Sequence, residues 1–352
     1  MLNSKKYRLA LIIALIAVAG VYGCSSEPGY QSIQGATMGT YYRVQYKSSG
    51  ACVSSQASVD AQLLAFNASL STYVEDSEIT LFNNYLGRDF YPVSGRFGNV
   101  LEAATRVWEQ SGGAFDVTVG PLVNLWGFGP ADSNDFPSNA AQAEAFAGVG
   151  MQNLEMQRTV QRDGSVDAFS VRKSVPDLYL DFSALAKGLG VDEVAQALHA
   201  LGCSDFMVDI GGEVRTMGLS PKARPWRIGI ETPDSTRRGV IQRVLQLTNQ
   251  SVATSGDYRN FRVVDGVRVD HVIDPRSGKP ADNSVVSVTV MHEQAMWADA
   301  YATALMVLDA DAGMQMAEKL GLAVLVITKT SDDRFVERYT LPMKRFFLEF
   351  PE

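Results

Sequence analysis

Cysteine and histidine are scarce in this chain, with three of each among 352 residues. Three cysteines exclude a disulfide scaffold and every zinc site built from four thiolates. The three histidines, His199, His271 and His292, leave no His-rich metal centre. A basic excess is missing too: 31 Lys+Arg stand against 39 Asp+Glu, a formal net charge of −8. Without positive charge to neutralise phosphates, the chain does not read as a nucleic-acid binder. No Gly-x-Gly-x-x-Gly follows a strand, no Walker loop occurs, and no Gly-x-Ser-x-Gly elbow is present, so a Rossmann domain is unsupported. What is there is globular: 46% hydrophobic and 9% aromatic, with length for one large domain or two ordinary ones.

The first residues address the protein. Lys5, Lys6 and Arg8 precede an apolar run, Leu9 to Val21, too short for a comfortable membrane span but suited to a signal peptide. It ends in Gly23-Cys24-Ser25, similar to a bacterial lipobox whose cysteine is acylated. Residues 1–23 then read as a lipoprotein signal, 24–33 as a lipidated tether, and 34–352 as the working domain. The expected location is the periplasmic side of a bacterial membrane, either the inner membrane or the inner leaflet of the outer one. With Cys24 acylated, Cys52 and Cys203 read equally well as one disulfide or as two free thiols.

Along the rest of the chain, Thr40–Tyr46 predicts a strand, and Val59, Leu63, Phe66 and Leu70 recur at helical spacing after Ser58, a plausible N-cap. Val100 to Trp108 marks a second helix, stopped by Gly112-Gly113. Residues 131–150 look like a surface excursion with one short helix. Leu178–Phe182 reads as a short buried strand leading into a helix over Ala184–Leu201, followed by a strand at Phe206–Ile210. Asp265-Gly266 between two β-prone runs signals a hairpin. Val285–Val290 and Ala323–Thr328 read as strands around a helix at Ala298–Leu308. Strands outnumber the gaps that helical crossovers could fill, so the fold class is α+β with mixed, largely antiparallel sheets and packed helices.

Five segments suit chemistry. The Gly- and aromatic-rich stretch Gly112–Gly129 suits close approach to a planar ring system, or equally a tight structural loop. Asp181 to Gly188 runs into a helix start with Lys187 one turn in, an anion site, although Asp181 reads better as a cap. Asp299 and Thr303, four residues apart, share a helix face flanked by alanines and offer oxygens to a hard cation. His271, after the hairpin, is a candidate acid or base. Thr254 to Arg259 is a polar turn suited to ribose or phosphate. Alone, each segment has an ordinary structural explanation.

Taken in order, these segments resemble the ApbE family of bacterial FAD:protein FMN transferases. The matching pieces are Thr37-Met38-Gly39-Thr40, Leu70 to Tyr73 with Asp76 to Glu78, Gly113 to Asp116, Trp126 to Gly129, Asp181 to Gly188, Ile210 to Glu213, Thr254 to Arg259, His271 to Pro275 and Asp299 to Thr303. The resemblance implies an ApbE-like flavin transferase fold that binds FAD as substrate, together with Mg²⁺. It places Met38, Tyr73, Ala114, Phe115, Asp116, Asp181, Lys187 and Val272 around FAD, and the Ala184 carbonyl, Asp299 and Thr303 on Mg²⁺. The implied reaction moves the FMN half of FAD onto a threonine of a partner and releases AMP. Lys187 would stabilise charge, and His271 would take the threonine proton with Asp257 or Asp274 as orienter. Expected partners are flavoprotein subunits of membrane redox ion pumps carrying a Ser/Thr-Gly-Ala-Thr motif, and the membrane itself through the lipid anchor. The alternatives are a periplasmic FAD pyrophosphatase yielding FMN and AMP, and a non-catalytic FAD-binding lipoprotein.

Overall fold

A computed structural model describes residues 29–129, 136–161, 166–234, 236–237, 239–258, 261–264 and 267–348. The signal segment, Cys24 and the turn residues Asp265 and Gly266 lie outside the described residues, as does part of the 131–150 excursion. Among the described residues no helix is long and apolar enough to cross a membrane.

In chain order, hairpin β1 (Tyr30–Thr37) and β2 (Thr40–Lys47) leads to helices α1 (Gln56–Leu70) and α2 (Glu78–Asn84). Strand β1 begins at Tyr30, inside the stretch assigned to the tether, because its backbone pairs with β2 from Tyr30↔Lys47 onward. Next come β3 (Tyr91–Val93), α3 (Gly95–Gln110), α4 (Gly120–Leu125), α5 (Asn139–Ala147), β4 (Leu154–Val160) and β5 (Val166–Lys173). The site-bearing half opens with α6 (Ser183–Ala200), then β6 (Phe206–Ile210), β7 (Glu213–Met217), β8 (Trp226–Glu231), β9 (Ile241–Leu247) and β10 (Ser251–Gly256). It continues through β11 (Phe261–Val264), β12 (Val267–Asp270), β13 (Ile273–Asp274), β14 (Lys279–Pro280) and β15 (Val285–His292). The chain closes with α7 (Ala295–Val307), α8 (Ala310–Lys319), β16 (Ala323–Lys329), β17 (Phe335–Tyr339) and α9 (Leu341–Lys344).

Eight strands form the main sheet in the order β1-β2-β6-β7-β10-β15-β16-β17, and every neighbouring pair is antiparallel. The expected α+β class with largely antiparallel sheets is therefore the observed one. The central strands of the sheet are buried on both faces. In β16, Val324 and Val326 join the core that holds α3 and α7, while Leu325 and Ile327 join a second core under the β8–β9 ribbon. Two-sided burial explains why Ala323–Ile327 is a continuous apolar run rather than an alternating one.

Two local expectations change. Helix α1 is capped by Ser55, whose side chain accepts from the Ser58 amide, so the helix starts a turn before the Ser58 cap expected from the apolar spacing. Leu178–Phe182 is buried and apolar at alternate residues but pairs with no strand. The Asn83 side chain takes the place of a neighbour: its Oδ1 accepts from the Leu180 amide at 2.8 Å and its Nδ2 donates to the Leu180 carbonyl at 2.9 Å. A single amide thus satisfies both backbone groups of Leu180, while the Asp181 amide donates to the Val117 carbonyl at 2.8 Å.

Cys52 and Cys203 form a disulfide across a sequence separation of 151 residues, which decides between the two readings of this pair. Closing so long a loop restricts the unfolded chain. The Cys52→Ala/Cys203→Ala variant is expected to lose about 2–4 kcal/mol of unfolding free energy. Urea unfolding of the oxidised protein against that variant measures it; equal midpoints would contradict the expectation.

Candidate functional site

A cavity of about 980 Å³ opens where α6, β7, β10 and α7 converge under the segment that follows β12. Its floor is charged. Glu213 and Asp299 are 2% and 3% exposed, yet both are carboxylates, and Lys187 stands between them. Lys187 Nζ lies 2.8 Å from Glu213 Oε1 and 3.7 Å from Asp299 Oδ1. Asp299 Oδ2 also accepts from the Gly188 amide at 3.0 Å. Glu213 Oε2 is buried with no hydrogen-bond partner among the described residues.

Glu213 reaches this place because Gly211 and Gly212 turn β6 into β7 with φ of 64° and 107°, a left-handed pair suited to a tight hairpin. Asp209 secures the turn by accepting from the Gly212 amide at 3.0 Å and pairing with Arg43 at 3.2 Å. Lys187 lies one turn into α6. Asp181 Oδ1 accepts from the Ser183 amide at 2.8 Å there, so its carboxylate braces the helix start as a short polar side chain does.

One ammonium serves two buried carboxylates, and this sets their titration. Burial raises Glu213 to about 7, with Lys187 pulling it down and Asp299 pushing it up. Burial likewise raises Asp299, against Lys187 and the Gly188 amide. For Lys187 burial alone would lower the pKa, but Asp299 and Glu213 together outweigh it and raise it. A carboxyl whose folded pKa exceeds its unfolded one contributes stability below the unfolded value and loses it as pH rises through the folded one. In metal-free protein the unfolding free energy should therefore decline from about pH 4.5 to about pH 7 through Glu213. Glu213→Gln should flatten that decline in a denaturant series across those pH values. An unchanged slope would remove Glu213 as its source.

Beside the charged floor lies an oxygen cluster. Thr303 Oγ1 donates to the Ala184 carbonyl at 3.4 Å and is 3.5 Å from Ser255 Oγ. Asp299 is one helical turn earlier on the same face of α7. No group of three or more His, Cys, Asp or Glu suited to a metal occurs among the described residues. The donor set here is instead one carboxylate with carbonyl and hydroxyl oxygens, which fits a hard cation that keeps water or substrate oxygens in its shell.

The remaining sequence-derived residues divide. Tyr73, Ala114, Phe115, Asp116, Asp181, Ala184, Lys187, His271, Val272, Asp299 and Thr303 all line the cavity. Met38 does not: its side chain packs on Gly190 and Ile210. The Asp116 carboxylate is used internally, accepting from the Thr118 amide at 2.7 Å and the Met151 amide at 3.1 Å, so it braces the loop that presents Ala114 and Phe115. The Val272 carbonyl accepts from Ala281 at 2.8 Å. His271 packs edge-on to Phe128, centroids 6.2 Å apart. Asp274 is bound by Arg276 at 2.9 and 2.8 Å. Glu213 and Ser255 had no individual role in the sequence reading. Their signals were a glutamate directly after a Gly-Gly turn and a hydroxyl in the polar Thr254–Arg259 segment.

The ApbE family matches residues 38–326. The chain is 39% identical over 339 residues to a Vibrio cholerae protein named FAD:protein FMN transferase, covering 95% of this chain and 98% of the relative. It is 34% identical to an Escherichia coli K12 protein of the same name, covering 91% and 93%. Among solved structures, the flavin transferase ApbE from Vibrio cholerae superimposes with a TM-score of 0.81 at 40% identity, covering 91% of this chain and 99% of that one. The apo flavinyl transferase ApbE of Pseudomonas stutzeri gives 0.78 at 34% identity, covering 91% and 97%. The match runs through the cavity-lining segments from Tyr41 to Val307. The chain belongs to the ApbE family.

Proposed function

We propose that this protein is an enzyme that transfers the FMN moiety of FAD to a threonine hydroxyl of a partner protein and releases AMP. The observation that carries the reading is the Glu213–Lys187–Asp299 floor beside the Ala184–Thr303 oxygens, in a cavity large enough for a dinucleotide. In the reaction the threonine oxygen forms a bond to the FMN-side phosphorus. The bridging oxygen leaves with AMP, and the threonine proton passes to a base. His271 is the proposed base. Lys187 Nζ holds the positive charge that meets the pyrophosphate as negative charge builds on the leaving group. Mg²⁺, held by the Ala184 carbonyl, Asp299 and Thr303, would supply further neutralisation of phosphate charge. Ala114 and Phe115, 1% and 2% exposed, back the cavity wall where the flavin would lie.

The proposed setting is the periplasmic side of a bacterial membrane, anchored by acylated Cys24 and serving flavoprotein subunits of redox ion pumps with a Ser/Thr-Gly-Ala-Thr motif. The Cys52–Cys203 disulfide supports an oxidising compartment. The test incubates the protein with FAD, Mg²⁺ and an acceptor domain bearing the motif, then looks for flavin fluorescence on denatured acceptor. Labelled acceptor with AMP released supports transfer. Free FMN and AMP without label would make it a pyrophosphatase, and intact FAD a carrier.

A further inference from the structure

Helix α7 carries Asp299 and Thr303, yet its own sequence does not cap it. Gln294 precedes it in extended conformation and gives no side-chain hydrogen bond to the first amides. Those amides are satisfied from another helix. Asp192 of α6 accepts from the Ala295 amide at 3.0 Å through Oδ1 and from the Met296 amide at 2.9 Å through Oδ2. Arg215 of β7 pairs with the same carboxylate. Asp192 is 3% exposed and lies outside the cavity lining.

This contact is one of three in a row. Thr303 meets the Ala184 carbonyl, Asp299 meets the Gly188 amide, and Ala295 meets Asp192. Each step of four along α6 matches a step of four backward along α7, so the two helices are joined by an antiparallel ladder. Its rungs are about 6 Å apart, given 1.5 Å of rise per residue. The helices touch backbone to backbone between the lower two rungs, where a Cβ on Gly188 would sit 2.3 Å from the Ala295 carbonyl oxygen. Two rungs belong to the candidate site. The third is the only one made by a charged group bonded to two amides and a guanidinium.

We propose that Asp192 is a positioning residue: by fixing the N-terminus of α7 on α6, it sets the axial register that places Asp299 and Thr303 opposite Gly188 and Ala184. A slip of one residue displaces α7 by about 1.5 Å and turns it by about 100°. That separates the oxygens of the site, and displacements of this size cost about a hundredfold in positioned reactions. The consequence for the cation rests on the function proposed above; the register itself does not.

The test uses the full chain with Asp192→Asn, which keeps the shape but cannot accept from both amides. In metal-free, ¹⁵N-glycine-labelled protein, exchange of the Gly188 amide should accelerate at least about tenfold relative to the other protected glycines. The Mg²⁺ concentration giving half-maximal flavin transfer should rise by a similar factor. Arg96→Gln, which breaks the Arg96–Glu193 pair one residue along α6, should move neither. If Asp192→Asn lowers only the unfolding midpoint, with Gly188 exchange and Mg²⁺ dependence as in the parent, Asp192 is a helix cap and the inference fails. If that variant does not fold, Arg215→Gln leaves the carboxylate in place and should shift both readouts less, in the same direction. Parent-like values there overturn the inference. Absence of any Mg²⁺ dependence in the parent would overturn the cation reading alone, and Gly188 exchange would still decide the register.

Discussion

Lys187→Met is expected to lower the rate of flavin transfer about 100- to 1,000-fold, the loss typical of removing a preorganised charge partner of a transition state. It should also cost about 3 kcal/mol in unfolding free energy. Glu213 and Asp299 would then share a buried site with no cation, and breaking a buried pair by deleting one member strands the other. The lower end of the usual range applies, because a third of the Lys187 side chain remains exposed to the cavity. The two effects separate in the double variant Lys187→Met/Glu213→Gln. Neutralising Glu213 removes one stranded charge above the pH at which that carboxyl ionises, about 7 or higher, so stability there should recover in part while transfer does not. Measured by denaturant unfolding and by acceptor labelling, recovery of both together would mean that Lys187 serves only the fold.

The second large effect is expected at Gly188. In an exposed helix, glycine to alanine stabilises by about 1 kcal/mol. Here the added methyl would meet backbone: the Ala295 oxygen at 2.3 Å, its carbon at 2.6 Å and the Met296 nitrogen at 2.7 Å. Backbone cannot swing aside as a side chain can, so α6 and α7 must separate. Gly188→Ala is expected to destabilise by about 3 kcal/mol or more and to reduce transfer beyond detection. Gly190→Ala is the matched comparison. Its methyl would meet the end of the flexible Met38 side chain at 2.7 Å, and a cost below about 1.5 kcal/mol is expected. Equal costs for the two variants in urea unfolding would refute the crossing argument.

How far the fold is legible in the chain depends on where each cause lies. The spacing of Val59, Leu63, Phe66 and Leu70 suffices for α1, but its first turn is exposed, so the apolar period begins late and hides the Ser55 cap. Likewise α7 reads as starting at Ala298 rather than Ala295, because its cap is Asp192, about a hundred residues upstream. Leu178–Phe182 carries a strand's composition, and nothing nearby reveals that one asparagine side chain will stand in for a neighbour. Within the site, the ordered motifs identify about half of the cavity wall and miss the run from Ser220 to Glu231. Glu213, inside the Ile210–Glu213 motif, takes on a role of its own only when the Gly-Gly turn folds it onto Lys187. Asp116 shows the converse. It occupies a cavity-lining position, while its carboxylate is consumed by the Thr118 and Met151 amides in its own loop.

The Cys52–Cys203 bond divides the site in a way the cavity alone conceals. Tyr73, Ala114, Phe115 and Lys187 lie within the segment it encloses, whereas Glu213, Ser255, His271 and Asp299 lie beyond it. A protease that cuts the backbone anywhere between the two cysteines therefore yields two polypeptides but not two molecules. The severed pieces migrate as one denatured band until a thiol is added, which releases the piece carrying Tyr41 and Arg43 from the piece carrying Glu213 and Asp299.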